Sequence, residues 1–226
     1  MPRPPQPTPS QPQRRPSIRP RCSPVDREAL SAVLQPDGPV AGSLIPPGMP
    51  GHDPSLESVF DPAEARRSLD RALANLGLTS PDQIHLSMMG GAFAETIPAS
   101  ATYLAEQWRD LVGIDVEVVT LEVDAWFEQI GQHNHDLEWN AWIPDYPHPQ
   151  NYLEATFGCV PGDVSIGNLY GYCNPAYDEL LDQAARSADS EAQLSLYLEA
   201  QRLIVDEPVG IFMAWPGGRA LVAPWV

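Results

Sequence analysis

The stretch Trp139-Asn-Ala-Trp142-Ile-Pro-Asp145-Tyr146-Pro-His148-Pro-Gln-Asn151-Tyr152 concentrates the groups best suited to recognising charge. Within these 14 residues stand two tryptophans, two tyrosines, three prolines and one carboxylate, Asp145. Aromatic faces beside an acid make a cage for an ammonium group or a cationic side chain, because ring quadrupole and carboxylate both attract positive charge. The same residues equally suit a loop that starts a helix and anchors it with buried rings. Taken alone, the stretch weighs evenly between the two.

Histidine supplies a second chemistry to consider. His133 and His135 are two apart and would share a strand face, with His148 further on. Zinc or nickel takes three or four converging ligands, and two histidines do not complete a site. A polar turn, Gly-Gln-His-Asn-His-Asp, is the favoured reading, and no metal is expected. Cys159 and Cys173 flank a loop holding Pro161, Gly162, Gly167 and Gly171, with no C-x-x-C spacing, so a zinc ribbon is excluded. They are either free buried thiols or a disulfide, which needs an oxidising compartment and would contribute about 3 kcal/mol by closing a loop of this length. Catalytic motifs are missing: there is no G-x-S-x-G, no P-loop and no G-x-G-x-x-G, and Gly90–Gly91 is a lone pair. No enzyme and no cofactor are expected.

The elements that must position these groups read as α/β. Order is expected to begin at Asp61, where Asp61-Pro62 and Glu64 form a helix start, followed by Ala65, Leu69, Ala72, Leu73 and Leu76 at helical spacing and a stop at Gly77. The pattern then predicts a strand over Ile84–Met89, a helix carrying Ile97, Ala101, Leu104, Trp108 and Leu111 on one face, and a strand over Ile114–Leu121. Strand, helix, strand reads as a βαβ unit with parallel strands. A short helix around Asp124–Ile130 and a strand near Leu137–Trp142 follow. Two later helices are expected, one capped by Asn174-Pro175, the other by a Ser190–Gln193 capping box with Leu194, Tyr197, Leu198, Gln201 and Ile204 inward. Val209–Trp215 suits a buried strand. Residues 36 to 54, rich in proline and glycine, read as an extended loop.

Charge and composition narrow the function. The chain has 226 residues, 30 acids against 13 basic residues, and a net charge of -17. All of the basic residues are arginine. This balance excludes a nucleic-acid binder and a polybasic membrane-surface protein. No apolar run approaches a membrane span, and no charged stretch followed by an apolar run opens the chain, so no signal peptide is read. Residues 1 to 24 hold five arginines, nine prolines and no acid, and are expected to be a disordered head. Cys22 lies there, expected unpaired, and lacks the preceding apolar segment of a lipoprotein cysteine.

One resemblance runs through the chain. It is carried by Val25-Asp-Arg-Glu-Ala-Leu30, Ile45-Pro-Pro-Gly-Met-Pro50, Tyr103-Leu-Ala-Glu-Gln-Trp108 with Gly113-Ile-Asp-Val116, Trp142-Ile-Pro-Asp145-Tyr146-Pro, Gly171-Tyr-Cys-Asn-Pro-Ala-Tyr-Asp-Glu-Leu-Leu181 and Leu221-Val-Ala-Pro-Trp-Val226. In this order, these segments resemble the family-5 extracellular solute-binding proteins of peptide and nickel ABC importers.

The resemblance implies most of the C-terminal lobe of a two-lobed type II periplasmic-binding-protein fold. It divides the chain into a head over 1–24, a ligand-binding lobe over 25–207, and a crossing strand over 208–226 toward a first lobe outside this sequence. A truncated or mis-started product, with a frameshift upstream of Val25, is the expectation. The resemblance further implies that Asp145 meets a ligand's α-ammonium, that Trp142 and Tyr146 line the same wall, and that Cys159 and Cys173 are bonded. His148 stands where the family usually has a second acid. Expected partners are a peptide or other small solute and ABC permease subunits, with no nucleic acid and a monomeric chain. The place implied is periplasmic or extracellular, associated with the cell envelope. A lobe without its opposing wall is expected to hold ligand weakly or not at all. Two rival readings are a metal-dependent hydrolase using His133 and His135, and a fragment with no function of its own.

Overall fold

The structure, a computed structural model, describes residues 22–34, 39–92, 96–132, 135–159, 168, 170–207 and 209–215. The head as far as residue 21 lies outside them. Its last residues do not match the expectation: Cys22–Ser23 is a strand, β1, paired in parallel with β2 at Val59–Phe60. Order therefore begins well before Asp61. Helix α1 spans Arg27–Leu34, its first turn capped by Asp26, whose Oδ1 accepts from the Ala29 N–H at 3.0 Å. Val25 just before it and Leu30 within it are fully buried. The helix spans only two turns, too short for a clear periodic signal, and Val25 and Leu30 pack against α3.

Helix α2 (Pro62–Leu76) starts and stops as the sequence predicts. Asp61 Oδ1 accepts from the Glu64 N–H at 2.9 Å, and Gly77 closes the helix at φ 69°, where a side chain would be strained. Strand β3 (Leu86–Gly91), helix α3 (Thr96–Val112) and strand β4 (Val116–Leu121) form the βαβ unit, with β3 and β4 parallel in the register Leu86↔Val116. Helix α4 (Val123–Gly131) leads to β5 (Leu137–Trp139), which pairs in parallel with the other side of β3. The sheet order is β4-β3-β5. Strand β5 is shorter than expected because Asn140 turns its side chain onto its neighbour: Oδ1 accepts the Ala141 N–H at 2.7 Å.

Helices α5 (Pro149–Phe157), α6 (Pro175–Arg186) and α7 (Ser190–Asp206) make a second layer. The cap of α7 differs from the expected Ser190–Gln193 box. Asp189 takes the role, its side chain accepting from Glu191 and Ala192 N–H, and a carboxylate answers the helix dipole better than a hydroxyl. Gln193 instead donates from Nε2 to the Ala184 carbonyl at 2.8 Å, closing the end of α6.

Two main apolar cores result, with a smaller one of Met89, Trp126 and Ile130 beneath α4. One joins Met88, Leu104, Trp108, Val116 and Trp139 between the sheet and α3. The other gathers Leu153, Phe157, Tyr177, Tyr197 and Ile204 from the three later helices. Between them run residues 39–45 and 209–215. The latter segment is not the expected buried strand, since its pairing is a single antiparallel bridge, Val40↔Ala214. The irregular partner segment offers too few aligned groups for a ladder. What holds the two segments is specific: the Ala41 N–H to the Met213 carbonyl (3.0 Å), the Trp215 N–H to that of Pro39 (3.2 Å), and Trp215 Nε1–H to that of Leu44 (3.1 Å). Residues 208 and 216–226 lie outside the described residues. Cys159 and Cys173 are joined as a disulfide, their Cα atoms 4.7 Å apart and 14 residues apart in sequence.

Gln201 is fully buried, and its carboxamide accepts the Ile45 N–H (3.3 Å) and donates to the Gly51 carbonyl (3.0 Å). Gln201→Met keeps the volume but leaves both backbone groups unpaired, so urea unfolding is expected to show a loss of about 2–4 kcal/mol. Serine at both Cys159 and Cys173 is expected to cost about 3 kcal/mol, and reductant should lower the stability of the parent chain but not of that variant.

Candidate ligand-binding site

The aromatic–acid stretch is organised by one residue that carries no charge. Asn151, in the first turn of α5, is buried. Its Oδ1 accepts Trp142 Nε1–H at 3.2 Å and the Asp145 backbone N–H at 2.9 Å, while its Nδ2 donates to Asp145 Oδ2 at 3.3 Å. One carboxamide thus fixes a half-buried indole and an exposed carboxylate in a single arrangement. Helix α5 is oriented in turn by His148, whose Nδ1 accepts the Gln150 N–H at 3.3 Å. An acid at position 148 would cap the same helix, so the histidine keeps that task while removing a charge.

Trp142 and Asp145 are joined through the Asn151 carboxamide. Tyr146 is placed less closely: it is 44 % exposed, its hydroxyl donates to Gln150 Oε1 at 3.5 Å, and its ring tilts toward His148 at 6.5 Å between centroids. The histidines of the metal reading are only partly described. His133 lies outside the described residues, His135 sits in irregular chain before β5, and His148 is a helix cap. Among the described residues no three His, Cys, Asp or Glu side chains are placed to hold a metal.

Beside Trp142 lies a cavity of about 650 Å³, within the ordinary range for small-ligand sites. It opens between the two cores and is walled by β5 with its following residues, by Ser43 and Leu44, and by the 209–215 segment. Asp145 and Tyr146 stand outside its lining. Glu138, in the middle of β5, lines it with a side chain only 3 % exposed. Neither of its carboxyl oxygens accepts a hydrogen bond of good geometry among the described residues, although the Asn140 carboxamide is near enough to favour the ionised form. His135 Nε2 lies 3.7 Å from Oε2. Burial pushes the Glu138 carboxyl up to about 7, with Asn140 pulling more weakly the other way. The Asn140 Nδ2 also donates to the Tyr170 hydroxyl at 3.4 Å, and Tyr170 stacks on Phe157 at 5.1 Å.

Sequence reasoning did not single out Glu138, Ser43 or the aromatic residues Phe212 and Trp215. For Glu138 the local pattern sets only the face: an acid between Leu137 and Trp139 in a short strand points away from them, and other elements decide what covers it.

With the geometry in place, comparison with known proteins gives a consistent result. The family described as bacterial extracellular solute-binding proteins, family 5 Middle, matches residues 25–163. Di/tripeptide-binding protein 3 of Pseudomonas aeruginosa is 27% identical over 187 residues, covering 81% of this chain and 34% of that protein. Oligopeptide-binding protein OppA of Bacillus subtilis is 24% identical with the same coverage. The chain therefore spans about a third of the length of these curated relatives. The fold matches the unliganded open form of the periplasmic murein tripeptide binding protein MppA (TM-score 0.71, 21% identity, covering 84% of this chain and 36% of that one). A solved peptide-binding protein of a peptide ABC transporter is matched at TM-score 0.72 and 17% identity, over 87% of this chain and 88% of that one.

The Glu138 carboxyl titrates higher in the folded chain than in the unfolded one, so folding favours its protonated form. Stability should fall as pH rises from the ordinary carboxyl range to about 7. Glu138→Gln is therefore expected to match the parent chain near pH 4 and to exceed it at pH 8 by up to about 3 kcal/mol. Chemical denaturation at the two pH values measures this.

Proposed function

The chain belongs to the bacterial extracellular solute-binding proteins, family 5, and on that premise we propose that it is the peptide-recognising lobe of an ABC importer's binding protein. Asp145 meets the ligand's α-ammonium, and Trp142 forms the adjoining wall. The observation that carries this reading is the Asn151 clasp. A carboxylate already oriented by its neighbour, yet open to solvent, meets an ammonium without reorganising, and that preorganisation is what gives a charge-assisted hydrogen bond its net worth. The chain's negative charge favours the approach of a cationic group.

In this role the chain binds and does no chemistry. Capture against an opposing lobe and hinge closure would deliver the solute to the permease subunits. The disulfide between Cys159 and Cys173 fits a periplasmic or extracellular place, where such bonds persist. Several curated relatives carry names of di-, tri- or oligopeptide binders, which supports a peptide over a metal complex as the ligand here.

A single lobe should hold a short peptide in the millimolar range, which amide chemical shifts resolve. Titration with trialanine and with its N-acetylated form is expected to differ by about tenfold in affinity, and Asp145→Asn should erase that difference. Equal affinity for both peptides in the parent chain, or no shifts with either, would sink the reading.

A further inference from the structure

Unpaired buried polar groups are rare in folded chains, and each needs an account. Here they converge. Ser43 Oγ, Trp108 Nε1 and both Glu138 oxygens are buried without a hydrogen bond of good geometry among the described residues, and all three residues line the one 650 Å³ cavity. They come from three separate parts of the fold: the irregular 39–45 segment, α3 and β5. Local misfit at one element does not place orphan groups from three elements around one space.

The cavity lining also has a definite electrostatic character. Glu138 is almost wholly shielded from water, and its side chain is one of two acids in the lining, the other being the exposed-side Asp136. Asp136 is already engaged, accepting from both the Ser87 N–H and hydroxyl at 2.9 Å. Among the described residues the lining offers one group able to carry positive charge, His135, and no arginine. The remaining walls are aromatic and aliphatic, with Trp139, Trp142, Phe212 and Trp215 among them. A carboxylate in an apolar, ring-lined space is a site for a desolvated cation with a hydrocarbon stem.

We propose that this cavity receives a basic side chain of the bound peptide, with Glu138 as its counter-charge and specificity determinant. The inference rests on the peptide-binding reading above and names the ligand class that reading leaves open. A lysine side chain fits the chemistry: its four-carbon stem lies along the rings while the ammonium reaches the carboxylate. The site explains why an acid that weakens the folded chain at neutral pH stands in β5. Polar groups held at a cost to stability mark functional positions.

Preference for a lysine peptide should grow with pH. Below about 7 Glu138 is mostly protonated and offers no charge, whereas the lysine ammonium stays charged throughout pH 6–8. The other titratable groups around the cavity do not reverse this. Burial pushes the Tyr152 and Tyr170 hydroxyls upward, so both remain neutral. The Ser87 hydrogen bonds hold Asp136 below its ordinary value, so it stays ionised. His135 lies 3.7 Å from Glu138, and in its protonated form it competes with the ligand for that carboxylate.

The test uses the full chain and three alanine-based tripeptides with lysine at the first, second or third position, each paired with its norleucine analogue. Both members of a pair carry the same α-ammonium, so its contribution cancels in their affinity ratio. At pH 8 at least one lysine peptide is expected to bind about tenfold more tightly than its partner. That ratio should shrink at pH 6 and fall to about one in Glu138→Gln. As a local readout, the Glu138 carboxyl carbon should titrate about one unit lower with that lysine peptide and unchanged with norleucine, since a tenfold preference and a one-unit shift are the same linkage. A ratio near one in the parent chain at pH 8, or a ratio that survives Glu138→Gln, overturns this inference and leaves the Asp145 reading to its own acetylation test. Absence of binding by every peptide overturns both.

Discussion

The fold depends on finding partners for buried backbone that belongs to no helix or sheet. Residues 39–54 are dense in proline and glycine, so they cannot build a ladder, yet Ala41, Leu44, Ile45 and Gly51 are buried. Their polar groups are satisfied one at a time from distant elements. Gln201 on α7 serves Ile45 and Gly51, the His52 ring meets the Ile45 carbonyl at 2.9 Å, and Trp215 and Met213 serve Leu44 and Ala41. Arg27 completes the pattern from α1. Its Nε donates to the Phe212 carbonyl at 2.7 Å and its Nη2 to Ser58 Oγ at 2.6 Å, and burial lowers the guanidinium only to about 10, so it stays charged. The two apolar cores are held together through these bonds.

That way of joining two cores also produces the cavity. Irregular segments pinned at single points do not fill space as an interdigitated helix face does, and the gap opens where they pass the end of β5. Polar groups that found no partner collect around it. Fold and candidate site are therefore two results of one constraint: the segments that could satisfy every neighbour in a regular layer are absent there, and what remains unsatisfied suits a ligand.

Much of the architecture was legible from residues alone. Asp61-Pro62, Gly77 and the three-four spacing of Ala101, Leu104 and Trp108 marked helices that formed where expected, because capping and amphipathic periodicity act within one or two turns. The same locality explains the failures. Helix α1 spans only two turns, too short for a clear periodic signal, and is held by α3. The 209–215 segment has a strand's composition, but strand formation needs a partner edge, and its neighbour was an irregular loop. Asp189 displaced Ser190 as a cap because neighbouring candidates differ by less than their surroundings decide.

For the site, the divide is similar. The sequence by itself determined the α/β class and the placing of Trp142 and Asp145 on one short segment, since nine residues of chain keep Asn151 and Trp142 within reach of each other. Only the tertiary structure decided that Asn151 orients both, that His148 is a helix cap, and that Glu138 is sealed from water. Burial of a carboxyl depends on what other elements lay over it, among them two irregular segments roughly 70 to 100 positions away on the chain. No local pattern around Glu138 encodes that cover, whereas the hydrogen bonds of a cap or the face of a helix are written within a few neighbouring residues.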